Sequence, residues 1–567
     1  VYEGKDMKIC LVSCPQWSAL APPYNISLIS SILKNGGNET KIIDLNIECY
    51  NYLKNVDENN YWDGRNYFHW TEQYFKKELL PKINNLIDKT VNEIIEYNPE
   101  FVGVSIYQTN LECVKVLIKK IKRLNNNIKI MAGGPTCFNM YNVQMDRIGI
   151  DLLFTGEVDN ILNEAIDEYP TKKIYSSEKR INLNELPFAD YDGYDLETYI
   201  EPYTISMEAS RGCVAKCAFC METCFWSYRS KTADRILEEM KYYKNRYNVK
   251  YIRFNDSLIN GNMKEFKKLV YSLAEEKIGV RWGSYIRIDK RMDNEFFKKL
   301  KESNSSFLSF GVESGSQKVL NDMRKGIEID EIEQNLKDSK QFSLKAQVNW
   351  IVGFPTETYY DYLLSLAFVY NNRENIWQIC PGMTCGIGPN SDLRLNPERY
   401  DIIPGVYWGS YATKNFENTI IHRFIRLKLF HIFLDMLNVF NGQYHTKIKQ
   451  EYTYKGTIKK TRIDYNSYID FSYLYDGSFE SSLICEYMSF FWCVYKISNE
   501  FNMDIRFNHG EDKKEFGNDI VRPYNAKIDF QIDSNSNWVL NVNHSLSEEI
   551  IFNNKIQLKG NIDNAKV

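Results

Sequence analysis

Three cysteines, Cys213, Cys217 and Cys220, stand within eight residues of one another in the run Arg-Gly-Cys-Val-Ala-Lys-Cys-Ala-Phe-Cys. Thiolates are soft ligands that suit zinc and iron–sulfur clusters. Three thiolates hold three irons of a four-iron cube and leave the fourth iron open, which makes the site one for chemistry rather than a structural staple. The bland alternative is a zinc knuckle. Tetrahedral zinc wants a fourth Cys or His, and Cys224 follows four residues on. Otherwise Cys224 reads as a thiol with no ligand role or as one facing a substrate, and Met221 as a packing residue. Further along the chain, Glu313 follows an expected strand and reads as a strand-end hydrogen-bond acceptor or as a surface salt-bridge carboxylate. Arg287 and Arg324 follow strands and suit a carboxylate partner, although each also reads as a solvated arginine.

These residues need elements to position them. Apolar runs at 8–13, 41–45, 100–106, 128–132 and 151–155 alternate with helical stretches, which predicts a doubly wound parallel sheet. Ligands of such sheets bind at the carboxyl ends of the strands. Those ends carry Gly133-Gly134-Pro135 and Gly156-Glu157. A polar linker over about 172–202 leads to a second alternation. Its strands are expected at 203–208, 249–255, 280–286, 307–312, 345–352 and 376–380, with helices between them, which predicts an open barrel of six strand–helix units. Amphipathic helices are expected over 416–440, and alternating strands from about 450. The fold class is therefore α/β: a Rossmann-like sheet (7–170), a linker (171–202), a partial (β/α)6 barrel (203–400) and a C-terminal α+β extension (401–567).

Bulk properties bound the function. A chain of 567 residues is too long for one core. A net charge of −4 gives no case for binding nucleic acid through bulk charge, and the basic strip at 115–123 reads as the wet face of a helix. No apolar run is long enough to cross a bilayer. Met7 reads as a native start without a signal-peptide pattern, and 1–6 as an appended tag. A cytoplasmic location follows as the expectation. Thirteen cysteines there argue against a disulfide framework and for thiols with metal chemistry.

The triad, with Phe219 just before its third cysteine, resembles the signature C-x3-C-x-aromatic-C of the radical S-adenosylmethionine (SAM) enzymes. Three further runs carry the resemblance: Tyr251-Ile252-Arg253-Phe254-Asn255-Asp256, Phe310-Gly311-Val312-Glu313-Ser314-Gly315-Ser316, and Val352-Gly353-Phe354-Pro355-Thr356-Glu357-Thr358. The last has Thr356 where the family has glycine. The resemblance implies a 4Fe-4S cluster on Cys213, Cys217 and Cys220, with SAM chelated at the open iron. Reductive cleavage of SAM would then give a radical that abstracts hydrogen from an unactivated carbon. It also implies an external electron donor such as flavodoxin or ferredoxin. Cofactor contacts are expected from Phe219, Asp256, Arg287, Glu313, Ser314 and Arg324.

The N-terminal runs Ala21-Pro22-Pro23-Tyr24, Val102 to Tyr107, Ile130 to Pro135 and Phe154 to Glu157 resemble the cobalamin-binding group of that superfamily. Cobalamin has a broad rim of amides that bare backbone can approach. The contacts expected are Gln16, Ser105, Gln108, Gly133, Gly134, Pro135, Gly156 and Glu157. No Asp-x-His-x-x-Gly run follows the first strand, so a protein imidazole on cobalt is not expected. His69 reads as a surface or hydrogen-bonded histidine. Cys10, Cys14, Cys49, Cys113 and Cys137 lack the methylthiotransferase pattern and read as core. Together these readings imply a cobalamin-dependent radical SAM methyltransferase acting on an unactivated carbon of a natural product or peptide. The alternatives are a cyclase, ring-contraction or rearrangement enzyme using the same cofactors, a methylthiotransferase, and a corrinoid sensor or store. Trp350, Trp377, Tyr407 and Trp408 are candidates for a substrate pocket, although aromatics at strand ends are more often core.

Overall fold

The computed structural model describes residues 6–57, 60–62, 69–139, 142–177, 180–222, 226–380, 383–388, 390–404 and 411–415, short stretches between 418 and 434, and the strands of a C-terminal sheet between 447 and 561. The chain forms two compact units. One comprises 1–214, 225–285 and 298–306, and the other 215–224, 286–297 and 307–567.

The first unit opens with a fully parallel six-stranded sheet. Its strands are β1 (Lys8–Ser13), β2 (Glu39–Asp44), β3 (Phe101–Ser105), β4 (Lys129–Gly133), β5 (Leu152–Thr155) and β6 (Ile174–Ser176), in the order β2-β1-β3-β4-β5-β6. Strands β1 and β3 are buried along nearly their whole length, as strands with helices on both faces must be. The helix Leu111–Leu124 shows how the faces divide. Cys113, Val114, Leu117, Ile118 and Ile121 are buried, while Lys120 and Lys122 turn outward to pair with Asp88 and Asp151. The basic strip is the wet face of this helix. The five expected strands are all present, and β6 extends the sheet out of the segment expected to be a polar linker. Leu183, Leu186, Tyr191, Tyr194, Leu196 and Tyr199 of that segment are buried, so it packs as part of the unit.

The same unit carries the start of the second alternation. Strand β7 (Thr204–Met207) leads into a two-stranded hairpin, β8 (Ser210–Arg211) with β9 (Arg229–Ser230). Strand β10 (Tyr251–Phe254) pairs in parallel with both β7 and β11 (Arg281–Ile286).

In the second unit, β12 (Ser305–Glu313), β13 (Lys345–Val352) and β14 (Gln378–Ile379) are parallel, with β15 (Met383–Thr384) beside the end of β13. The order strand–helix–strand is kept by the helices Ile329–Gln341 and Tyr359–Asn372. A hairpin, β16 (Ile402–Pro404) with β17 (Tyr411–Thr413), follows. The chain then enters a six-stranded sheet, β18 (Lys447–Tyr452), β19 (Ile458–Asn466), β20 (Asp504–Asn508), β21 (Asn525–Ile532), β22 (Asn537–Leu546) and β23 (Ile550–Asn561). Only its β19–β20 pair is parallel. The helices expected over 416–440 lie mostly outside the described residues.

Candidate functional site

The carboxyl end of the first sheet is built from bare backbone. Strand β4 ends in Gly133, followed by Gly134 at φ +107. A Cβ at Gly134 would lie 2.7 Å from the Ile106 carbonyl oxygen and 2.8 Å from its nitrogen. The close approach is used: the Ile106 N–H donates to Gly133 O at 2.7 Å, and the Thr136 N–H donates to Ile106 O at 3.2 Å. Gly134 and Pro135 are exposed. At the end of β5, Gly156 is exposed at φ +78 with only Ser176 Oγ near its missing Cβ, at 3.9 Å. Ser105 Oγ accepts a hydrogen bond from Asn25 Nδ2 at 2.9 Å, and Gln108 is exposed. Gln16 donates through Nε2 to Tyr61 O at 3.2 Å, and its own carbonyl accepts from Thr109 Oγ1 at 2.8 Å. Trp17 stacks on Tyr107 with ring centroids 4.2 Å apart. Open glycine backbone, small polar groups and an aromatic wall at the strand ends fit a broad ligand rimmed with amides. Sequence reasoning missed Asn25 and Trp17. The proximity of Asn25 to the Pro-Pro-Tyr run was the available signal.

Glu157 has another role. Its carboxylate is buried and bound by Arg229, through Nη1 at 3.1 Å and through a second, shorter contact from Nη2. His69 is held by Glu78, at 2.7 Å from Nδ1. Cys10, Cys14, Cys49, Cys113 and Cys137 are all buried. Burial pushes the Cys10 and Cys137 thiols up to about 12 and raises Cys49 as well, so these groups stay protonated.

The cysteine loop begins at the hairpin β8–β9. Behind the hairpin, buried Asp256 accepts the Ala209 N–H at 3.1 Å and lies 2.6 Å from Ser210 Oγ. Ser210 Oγ is also 2.9 Å from Leu258 O. One hydroxyl carries one proton, so both contacts are satisfied when Asp256 is protonated and donates to Ser210. Burial supports this by pushing the carboxyl up to about 7. Because the folded pKa lies above the unfolded one, the folded state holds the extra proton and stability falls as pH rises from about 4 to about 7, by at most about 1.4 kcal/mol per unit. Asp256→Asn, whose amide reproduces the donor, is expected to remove this slope. Melting curves at pH 5 and pH 8 check it: the wild type loses Tm between them from this group, and the variant does not.

In the second unit, the loop from Ala215 to Glu222 is tied down at Ala218, which donates to Met323 O at 2.9 Å and accepts from the Leu393 N–H at 3.1 Å. Cys217 and Cys220 are half-buried. The Glu222 N–H points at Cys220 Sγ from 3.4 Å. Phe219 packs against a core of Ala218, Val319, Met323 and Phe354, with Lys325 Nζ 6.0 Å from its ring centroid. Glu313 ends β12 at φ +73 after a register shift, with Lys325 Nζ 3.4 Å from its carboxylate. A non-glycine residue held at positive φ at a strand end is strain of the kind that clusters at functional sites. Ser314 is buried, 3.3 Å from Ser365 Oγ, and accepts the Ser316 N–H. Arg287 donates to the carbonyls of Lys325 and Gly326, and Arg324 pairs with Asp392 at 2.6 Å. Met221 packs on Gly388. Trp350 is buried and stacks on Phe430, whereas Trp377 is part-exposed. Cys224, Tyr407 and Trp408 lie outside the described residues. Among the described residues, no group of three or more His, Cys, Asp or Glu side chains is arranged to hold a metal ion, so a cluster on Cys213, Cys217 and Cys220 stands on the spacing of these cysteines in the sequence.

A parallel sheet with an open glycine cradle, followed by a three-thiol loop at the head of a second run of parallel strands, defines a two-cofactor α/β protein. Residues 207–369 match the model of the radical SAM superfamily, and residues 73–166 match that of the B12 binding domain. The chain therefore carries a radical SAM domain behind a B12-binding domain. The first implies a 4Fe-4S cluster and SAM, the second cobalamin. The chain is similar to an uncharacterized methyltransferase of Pyrococcus horikoshii, at 25% identity over 47% of this chain and 62% of the relative. It is also similar to the cytidylyl-2-hydroxyethylphosphonate methyltransferase of Streptomyces wedmorensis, at 22% identity over 59% of this chain and 69% of the relative. The chain thus spans just under two thirds of the first relative's length. Among solved structures, the radical SAM methyltransferase TsrM of Kitasatospora setae, with cobalamin and a [4Fe-4S] cluster bound, shares the fold: TM-score 0.52, 15% identity, 69% of this chain and 77% of that one. Among the described residues, no helix is long and apolar enough to cross a membrane.

Proposed function

We propose that this protein is a cobalamin-dependent radical SAM methyltransferase that adds a methyl group to an unactivated carbon of a natural product or peptide. The observation that carries the reading is the order of parts: an open backbone cradle at the carboxyl end of a B12-type sheet, then a loop with three thiols. Relatives whose names are methyltransferases support it. When bound, the cluster and SAM supply a carbon-centred radical, and cobalamin supplies a transferable methyl group. The chain's residues bind and orient. Cys213, Cys217 and Cys220 would hold the cluster, and Phe219 shields the loop from the apolar side. Glu313, with Lys325 beside it, presents a fixed carboxylate to a ribose or ammonium. Gly156, whose missing side chain faces open space, leaves room for the cobalamin rim, and Gly133, Gly134 and Pro135 shape the strand end, with Ser105 and Gln108 as hydrogen-bonding groups. Domains at 7–170 and 203–400 would divide this work, and 401–567 is a C-terminal α+β extension to which no role is assigned. The reading also calls for an external electron donor of the flavodoxin or ferredoxin type, and for a reducing cytoplasm.

Anaerobic reconstitution tests it. With iron, sulfide, cobalamin and methyl-labelled SAM, the reduced protein is expected to bind both metal cofactors and to release 5′-deoxyadenosine and S-adenosylhomocysteine, with label passing to the acceptor. An isomer or dehydrogenated product without label points to the rearrangement reading. Failure to cleave SAM overturns the enzyme reading.

A further inference from the structure

We propose that Glu157 and Asp159 are positioning residues that register the cluster-loop hairpin against the cobalamin-binding strand end. The inference rests on the function proposed above. Gly156 is the last backbone unit of the cradle on β5. Directly after it, two carboxylates reach the hairpin β8–β9, whose Arg211 and Arg229 stand opposite each other in register. Asp159 takes Arg211 in a two-pronged grip, Nη1 to Oδ2 at 2.6 Å and Nη2 to Oδ1 at 2.9 Å. Glu157 takes Arg229 with both oxygens and also lies 3.8 Å from Arg211 and 3.6 Å from Arg180. Glu208 closes the array, accepting from Arg211 Nε at 2.7 Å and meeting the Tyr24 hydroxyl at 3.5 Å. Tyr24 belongs to the Ala-Pro-Pro-Tyr run, so a second element of the sheet's ligand-facing end reaches the same hairpin.

The electrostatics favour a rigid joint. Three carboxylates face three guanidinium groups, so the array is neutral. The Glu157 and Asp159 side chains are 1% and 9% exposed, and that of Arg211 is 11% exposed, so salt screens the joint weakly. Paired guanidinium–carboxylate forks fix orientation as well as distance. The levers are short: Glu157 is one residue from Gly156, and Arg211 is two residues from Cys213. A change in either fork is therefore passed to the cradle and to the first thiol together. Ion pairs that served folding alone would not need to sit at those two positions.

The test uses the holoenzyme, with the cobalt in its paramagnetic Co(II) state and the cluster reduced. Pulsed electron-spin measurement of the cobalt–cluster separation is expected to give one narrow distribution for the wild type. Asp159→Asn and Glu157→Gln are expected to keep full iron and cobalamin content but to broaden or shift that distribution. They are also expected to lower labelled-methyl transfer per SAM cleaved by about tenfold or more. Asp159→Glu, which keeps the charge, restores the wild-type ratio in part. Should the amide variants fail to fold, Arg211→Lys keeps the charge without the fork and is expected to broaden the distribution likewise. Folded variants with the wild-type separation and ratio overturn the inference while leaving the proposed function standing, as does a wild type that binds both cofactors with no defined separation. A wild type that takes up no cobalamin sinks the proposed function itself.

Discussion

Cys217→Ala is expected to abolish cluster assembly and, with it, all SAM cleavage. The variant keeps only two thiols of the triad, and a four-iron cube held at two corners leaves two irons open to solvent and oxidation. Iron and sulfide after anaerobic reconstitution should fall to background, and 5′-deoxyadenosine below detection. Cobalamin uptake should persist, because its expected contacts lie on the N-terminal sheet. The matched control is Cys49→Ala. That thiol is fully buried and held protonated by burial, so its loss should leave iron content unchanged and cost only some stability through the small cavity. The pair also separates the methylthiotransferase reading, which needs a second cluster on N-terminal thiols. Iron content near twice that of one cube in the wild type, reduced by Cys49→Ala, would favour it. Five core-buried thiols argue against that outcome.

Much of this layout was legible because parallel strands announce themselves. A strand covered on both faces is a short apolar run between turn residues, and β1, β3 and β4 all fall where such runs stand. The triad was legible for the same local reason, since its spacing is three residues, then two. What escaped was long-range or short. Strand β6 has three residues in a polar stretch, and its neighbour β5, rather than its own pattern, makes it a strand. Glu157 reads as a cofactor contact because it follows the strand-end glycine, yet its charge is matched by Arg229, which lies 72 residues away in sequence. Arg287 follows β11 as expected, whereas Arg324 follows the helix Gln317–Asp322 rather than a strand; Arg287 donates to carbonyls 38 and 39 residues on, and Arg324 pairs with Asp392. No periodicity carries such pairings. The same holds for Asp256: its place in a strand-end motif was visible, while its task of holding Ser210 under the cysteine loop depends on packing.

The N-terminal sheet gives the second large effect. Gly134→Val is expected to abolish cobalamin binding while leaving cluster assembly intact. Two costs act at once. The φ of +107 is foreign to a β-branched residue, at a cost of about 1–3 kcal/mol. The new Cβ would also meet backbone atoms of Ile106 at 2.7 and 2.8 Å, and backbone cannot swing aside as a side chain can. The ends of β3 and β4 must separate, breaking the bonds from Ile106 N–H to Gly133 O and from Thr136 N–H to Ile106 O that shape the cradle. Gly156→Ala supplies the contrast. Its φ of +78 carries the backbone cost, but the space around its Cβ is open apart from Ser176 Oγ at 3.9 Å. Its stability loss should therefore be limited to about 1–2 kcal/mol. Absorption titration with cobalamin alongside thermal melts reads both effects. If Gly156→Ala weakens cobalamin binding by tenfold or more with only that small loss of stability, the missing side chain at β5 is required by the ligand rather than by the fold. If it binds as the wild type does, the cradle is confined to Gly133, Gly134 and the end of β3, and Gly156 serves only to turn the chain toward Glu157 and Asp159.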